Sequence, residues 1–169
     1  MDDGTLAQEP QPERTLITAR SEYQAAADRV IALVQRELRI FDPDLSEFSL
    51  ETPARISALK AFLSRSRDNR VKIAVHDPEF VKRRCPRLIS LLGSYAGFIE
   101  VFRTQGEAAL AQDCFLLADR LHVVRRPVAR QMRGVLLISD AVEGQGMYGR
   151  FNEIWESSES GASASTSGL

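Results

Sequence analysis

The sequence predicts an α/β domain in which a mixed, mainly parallel sheet is flanked by helices. Three observations predict it. Short β-branched or apolar runs alternate with amphipathic segments. Most junctions carry proline or acidic residues of the kind that end strands and start helices. A length of 169 residues with 44% hydrophobic and 27% charged side chains suits one globular core.

The first helix is read at residues 22–36, where Ala26, Val30, Leu33 and Val34 share a face behind a capping box of Ser21 and Gln24. Residues 38–41 are a strand stopped by the turn chemistry of Asp42-Pro43-Asp44. Thr52-Pro53 is a cap followed by proline at the first helical position, and Ile56, Leu59, Phe62 and Leu63 give that helix its buried stripe to about Arg67. The β-branched run 71–75 is the clearest strand. Asp77-Pro78 repeats the cap signal, and Pro86 separates a short helix ending at Arg84 from another over 86–95, closed by Gly97. Residues 98–102 are a third strand. Thr104 with Glu107 forms a second capping box over a short Ala-rich helix. Residues 114–118 and 121–125 then pair as a hairpin, 135–138 add a strand, and a helix over 147–157 places Phe151, Ile154 and Trp155 on one side. Gly144, Gly146 and Gly149 read as a hinge or turn before that helix, with a phosphate-binding glycine loop as the alternative. The polar residues 1–20 and the Ser/Gly-rich 159–169 are expected to be disordered, leaving 21–158 as a single domain.

Several functional classes are disfavoured by composition. No apolar run approaches the ~20 residues of a membrane helix. The start lacks the basic and apolar stretches of a secretory signal, so a cytoplasmic, non-membrane protein is expected. Cys85 and Cys114 sit in no metal-ligand or disulfide spacing, and neither a metal nor a cofactor is expected. The net charge of −1 conceals a segregation: residues 54–133 carry 16 Lys/Arg against 7 Asp/Glu, whereas both flanks are acidic. Such asymmetry favours an anionic partner for the middle segment, or acidic flanks that fold over it.

In an open α/β sheet the loops beyond the carboxyl ends of the strands form the ligand crevice. Asp42, Asp44, His76, Asp77 and Asp119 all end predicted strands and are expected to gather at one rim. Each also has a structural reading, Asp77 as a helix cap and Asp42 as a turn former. Arg84 and Arg87 flank one helix junction and Arg125 and Arg126 lie in the hairpin, so brought to one face they would grip phosphate oxygens of a nucleic acid or phosphorylated ligand. Little aromatic interleaving accompanies them, which argues against a dedicated single-strand binder.

Over about residues 37–158 the chain resembles a phospholipase-D-like half-domain, whose motif is H-x-K-x-x-x-x-D on a strand and hairpin. Laid on that motif, residues 112–119 put Gln112 at the His, Cys114 at the Lys and Asp119 at the Asp. A register starting at His122 fits worse, with Val124 and Ala129 at the other two places. The ordered set of 40–42, 75–77, 85–88 and 151–155 resembles, more narrowly, a bacterial family with a degenerate version of this domain, in some proteins fused to an acetyltransferase-like module. The resemblance implies a nucleophilic His and a charge-stabilising Lys that are both replaced here. It therefore implies a chain that is not an enzyme, with Gln112, Cys114 and Asp119 as vestigial positions. It also implies pairing of two half-domains, as in a homodimer. Expected roles are, first, a non-catalytic interaction or regulatory domain with a protein partner; second, nucleic-acid or phosphate binding; third, a residual hydrolase using His76 with Asp42, Asp77 or Asp119. His122 joins the candidate ligand-binding residues.

Overall fold

Alternation of apolar residues along the strands decides which side of the sheet each helix covers. In the computed structural model, which describes residues 11–164, the elements run β1 (Glu13–Ile17), α1 (Arg20–Leu33), β2 (Glu37–Asp42), α2 (Pro53–Arg65), β3 (Arg70–Val75), α3 (Glu79–Arg84) and α4 (Pro86–Ser94). They continue with β4 (Ile99–Arg103), a 3-10 turn (Gly106–Leu110), β5 (Cys114–Ala118), β6 (His122–Arg126), β7 (Gly134–Ile138), α5 (Ala141–Glu156) and β8 (Glu159–Ala162). One face of the sheet, through Leu38, Ile40, Ile73, Val75, Leu116 and Val124, packs on the helices before β4. The other face, through Phe41, Phe115, Leu117, Val123 and Leu137, packs on Met147, Phe151 and Ile154 of α5. Leu38, Ile40, Phe41 and Phe115 are wholly buried, each a burial of roughly 2 kcal/mol in transfer terms.

The eight strands lie in the order β1-β7-β6-β5-β2-β3-β4-β8. The mixed sheet with helices on both faces is as expected, but its parallel part is confined to β2-β3-β4. Every other pair is antiparallel. The reason lies in the connections: α2 and the α3–α4 pair are crossovers long enough to bring the chain back in the same direction, whereas β5 to β6 is a short hairpin. Both sheet edges come from segments expected to be disordered. Glu13–Ile17 pairs with β7, and Glu159–Ala162 with β4. Residues 1–10 and 165–169 of those tails fall outside the described residues.

Three local expectations are corrected. Neither capping box forms: α1 starts at Arg20 with Ala19 at the cap position and no side-chain cap, and Thr104 turns away from the 3-10 turn to bond His76. Gly144, Gly146 and Gly149 lie inside α5, which begins at Ala141 behind a cap at Asp140, whose side chain accepts from the Glu143 N–H. Gly144 is there for proximity, because a Cβ at that position would stand 1.9 Å from the Arg120 carbonyl oxygen in the hairpin turn. By contrast, the Thr52 cap forms as read, its hydroxyl accepting from the Arg55 N–H.

Candidate functional site

The carboxyl ends of β2 and β3 lie beside the amino end of β5, and polar side chains collect there. Asp42, 3% exposed, bends the chain after β2: one carboxylate oxygen accepts from the N–H groups of Asp44 (3.1 Å) and Leu45 (2.7 Å). Its other oxygen is buried without a hydrogen-bond partner. Burial pushes this carboxyl up to about 6, with the two backbone N–H groups opposing the shift. Asp77 points out of the site and accepts from the Glu79 N–H at 2.9 Å. Asp42 thus fills the turn-forming role read for it, whereas Asp77 is not the helix cap: Pro78 holds the cap position of α3 with no side-chain cap bond, and Asp77 instead closes the turn before that helix.

His76 has both ring nitrogens engaged. Nε2 lies 2.9 Å from the Ala111 carbonyl oxygen, which can only accept, and Nδ1 lies 2.6 Å from the Thr104 hydroxyl. Its ring meets Phe41 edge-on, 5.3 Å between centroids. It lines a cavity of about 380 Å³ together with Pro43, Leu110, Gln112, Val128 and Arg130.

Beneath that cavity the two places assigned to the nucleophile and the cation diverge. Gln112 is exposed, whereas Cys114 is fully buried, its sulfur 3.9 Å from the Tyr23 hydroxyl. Burial pushes the Cys114 thiol up to about 11, reinforced by the nearby Asp42. The neighbouring cation arrives from the next strand. Arg126 pairs across the hairpin with Cys114, is 1% exposed, and stacks over the Tyr23 ring at 4.3 Å. Its guanidinium bonds Glu47 at 2.9 Å. Cys85, under the α3–α4 junction, is likewise buried and pushed up to about 11, so its basic neighbours do not activate it.

Asp119 is the expectation that fails most clearly. Because β5 runs antiparallel to β2, its carboxyl end lies at the amino end of β2, across the sheet from Asp42, His76 and Asp77. There its carboxylate accepts three backbone N–H groups, from Gln35 (2.6 Å), Arg36 (2.7 Å) and Glu37 (2.9 Å). His122 sits at that same far end, its Nδ1 accepting from the Ser139 N–H at 3.0 Å. The basic residues do not assemble as one patch either. Arg126 is internal, Arg125 faces Glu143 at 3.8 Å and Arg87 faces Glu51 at 3.6 Å, while Arg84 is exposed and has no ion pair among the described residues. Among the described residues no three His, Cys, Asp or Glu side chains are grouped to hold a metal ion, and no helix is long and apolar enough to cross a membrane.

The partners that build this interior, Tyr23, Glu47 and Thr104, carry no local sequence signal because each meets the site from a distant element. The Cys114–Arg126 pairing was within reach: it follows from the hairpin register once the short connection at Asp119-Arg120 is recognised.

The shape of the sheet places the chain among phospholipase-D-like folds. Nuc, a phospholipase D family member from Salmonella typhimurium, superposes with a TM-score of 0.61 at 14% identity, covering 89% of this chain and 98% of that one. NucT from Helicobacter pylori gives 0.60 at 15% identity, covering 89% and 99%. TrmBL2, an archaeal chromatin protein with a novel mode of DNA binding, gives 0.64 at 16% identity and 88% coverage, but this chain spans only 55% of its length. The chain belongs to the family described as a domain of unknown function, DUF7931, whose model matches residues 19–164. No curated protein matches it.

The raised Asp42 carboxyl has a measurable consequence. The folded state holds this proton up to about pH 6, the unfolded chain only to about 3.8, so the folded state binds more protons between those values and stability falls as pH rises through that window. Above it the cost is constant, about 3 kcal/mol in linkage terms. Asp42→Asn keeps an acceptor for Leu45 and removes the buried charge. The variant is expected to unfold at higher urea than the parent at pH 7, and the difference should vanish near pH 4.

Proposed function

We propose that this domain is non-catalytic and docks a protein partner at the rim formed by the β2 and β3 carboxyl ends, the 3-10 turn and the β6–β7 loop. The observation that carries the reading is the state of the inherited catalytic position: a buried neutral thiol beside an arginine already paired with Glu47. Nucleophilic attack on phosphorus requires an accessible nucleophile with a cation free for phosphate oxygens, and the pair at Cys114 and Arg126 offers neither. The residual-hydrolase reading has less support, since both nitrogens of His76 are occupied and Asp119 lies at the opposite end.

Support for a protein partner comes from Leu110, which is 79% exposed at the edge of the rim cavity beside the exposed Gln112 and Arg130. The test is capture of partners by the tagged protein in its native host. Leu110→Asp and Gln112→Arg should abolish capture, and Val142→Asp, at an equally exposed apolar position on α5, should not. Capture insensitive to both rim changes removes the assignment. Light scattering of the purified chain identifies the case in which the partner is a second copy.

Nucleic-acid binding is the second reading, favoured by the likeness to TrmBL2 and by exposed arginines without ion pairs among the described residues, Arg84, Arg130 and Arg133 being three of them. Its signature is duplex binding whose logarithm falls with log salt by about 0.9 for each phosphate neutralised. Absence of binding at low salt eliminates it.

A further inference from the structure

A second cavity opens at the other end of the sheet, where β2 begins and β5 ends, roughly 15 Å from the rim by the length of a five-residue strand. Its volume is about 410 Å³, within the range of small-molecule sites. The acids around it are already committed. Asp119 is held by three backbone N–H groups, and Glu37 is paired with Arg39 and with Lys72.

The donors are not all committed. Arg39, only 3% exposed, uses Nε on Glu37 and Nη1 on the Tyr148 carbonyl (3.2 Å) and Asn152 (2.8 Å), which leaves Nη2 with no acceptor among the described residues. The exposed Arg120 has no carboxylate partner among them either, and its guanidinium lies 3.6 Å from the Tyr148 ring centroid. Arg39 covers that ring too, at 3.8 Å, so the tyrosine is in contact with two cations. His122 accepts the Ser139 N–H at Nδ1, which assigns the hydrogen of its neutral ring to Nε2. Burial lowers the pKa of this imidazole, which keeps the ring in that neutral, donating form. Leu117 and Leu121 supply apolar wall.

We propose that this cavity binds a small organic anion, its phosphate or carboxylate group held by Arg39, Arg120 and His122 and its apolar part lying against Leu117 and Leu121. Donors without acceptors, in a pocket whose carboxylates already have hydrogen-bond or ion-pair partners, favour an anion, and the free fork of Arg120 suits two oxygens on one centre. Because this cavity and the rim share no residue, the site stands or falls independently of the partner reading.

Calorimetry on the whole chain at low ionic strength tests it, with phenyl phosphate, benzoate and inorganic phosphate as probes. Saturable binding of phenyl phosphate or benzoate is expected, tighter than that of inorganic phosphate, and Arg120→Ala should weaken it by about tenfold or more. Arg120 is exposed, so that variant keeps the fold, which circular dichroism verifies; Arg120→Lys should restore only part of the affinity. The preferred aromatic probe distinguishes a phosphate ligand from a carboxylate one. The proposal is overturned if neither aromatic anion binds, if inorganic phosphate binds equally well, or if Arg120→Ala binds as tightly as the parent.

Discussion

Gly144→Ala should lower the melting temperature by roughly 10 °C, corresponding to about 3 kcal/mol for a domain of this size. In an ordinary helix the change would stabilise, since glycine costs about 1 kcal/mol relative to alanine. Here the added carbon would stand 1.9 Å from the Arg120 oxygen and 2.7 Å from the Leu121 nitrogen, both backbone atoms of the β5–β6 turn. Backbone cannot swing aside as a flexible side chain can, so α5 must lift from the hairpin and loosen Met147 and Phe151 from the sheet. Gly146 and Gly149 provide the internal control. A Cβ at either meets nothing within 4 Å, and alanine there should raise stability by about 0.5–1 kcal/mol. Thermal melts of the three variants distinguish close approach from a hinge, because a hinge glycine would not separate them in this way.

Asp119→Ala is the second large effect, expected at about 3 kcal/mol. The substitution strips acceptors from the N–H groups of Gln35, Arg36 and Glu37, and charge-assisted bonds of this kind are worth about 1.5–3 kcal/mol each before water replaces them. It also places alanine at a φ of 59°, a left-handed conformation that aspartate tolerates better. Asp119→Asn preserves that conformation but turns one acceptor into a donor facing N–H groups, and should lose nearly as much. Hydrogen exchange reads the mechanism: the Arg36 and Glu37 amides should lose protection well before those of β5 and β6.

These two residues also show where sequence reading stops. The helices and strands were legible because each needs only local information: the apolar spacing of α2, the β-branched run of β3, the proline at Pro86. The capping boxes failed because a local pattern competes with tertiary partners, and Thr104 gains more from His76 than from its own helix turn. Glycines within α5 read as a loop because their reason, contact with Arg120, lies in another element. Edge strands β1 and β8 read as tails since a four- or five-residue polar strand borrows its stability from the neighbour it pairs with. Asp119 reads as part of the wrong rim because strand direction, which no residue type encodes, decides which ends meet.

The candidate site was legible in part. The residue types at 112 and 114 were legible, whereas what surrounds them required the fold. Arg126 pairs with Cys114 from the adjacent strand, and Glu47 and the Tyr23 ring hold it in the interior. Within this fold the polar cluster of Tyr23, Cys114, Arg126 and Glu47 fixes the α1–sheet contact.

The most direct measurement is turnover of bis(p-nitrophenyl) phosphate and of single-stranded DNA by the purified chain, alongside His76→Ala and Arg126→Met. All three proteins are expected to release product at the rate of the buffer blank. Hydrolysis by the parent above that rate, lost on replacing His76, would contradict the non-catalytic reading.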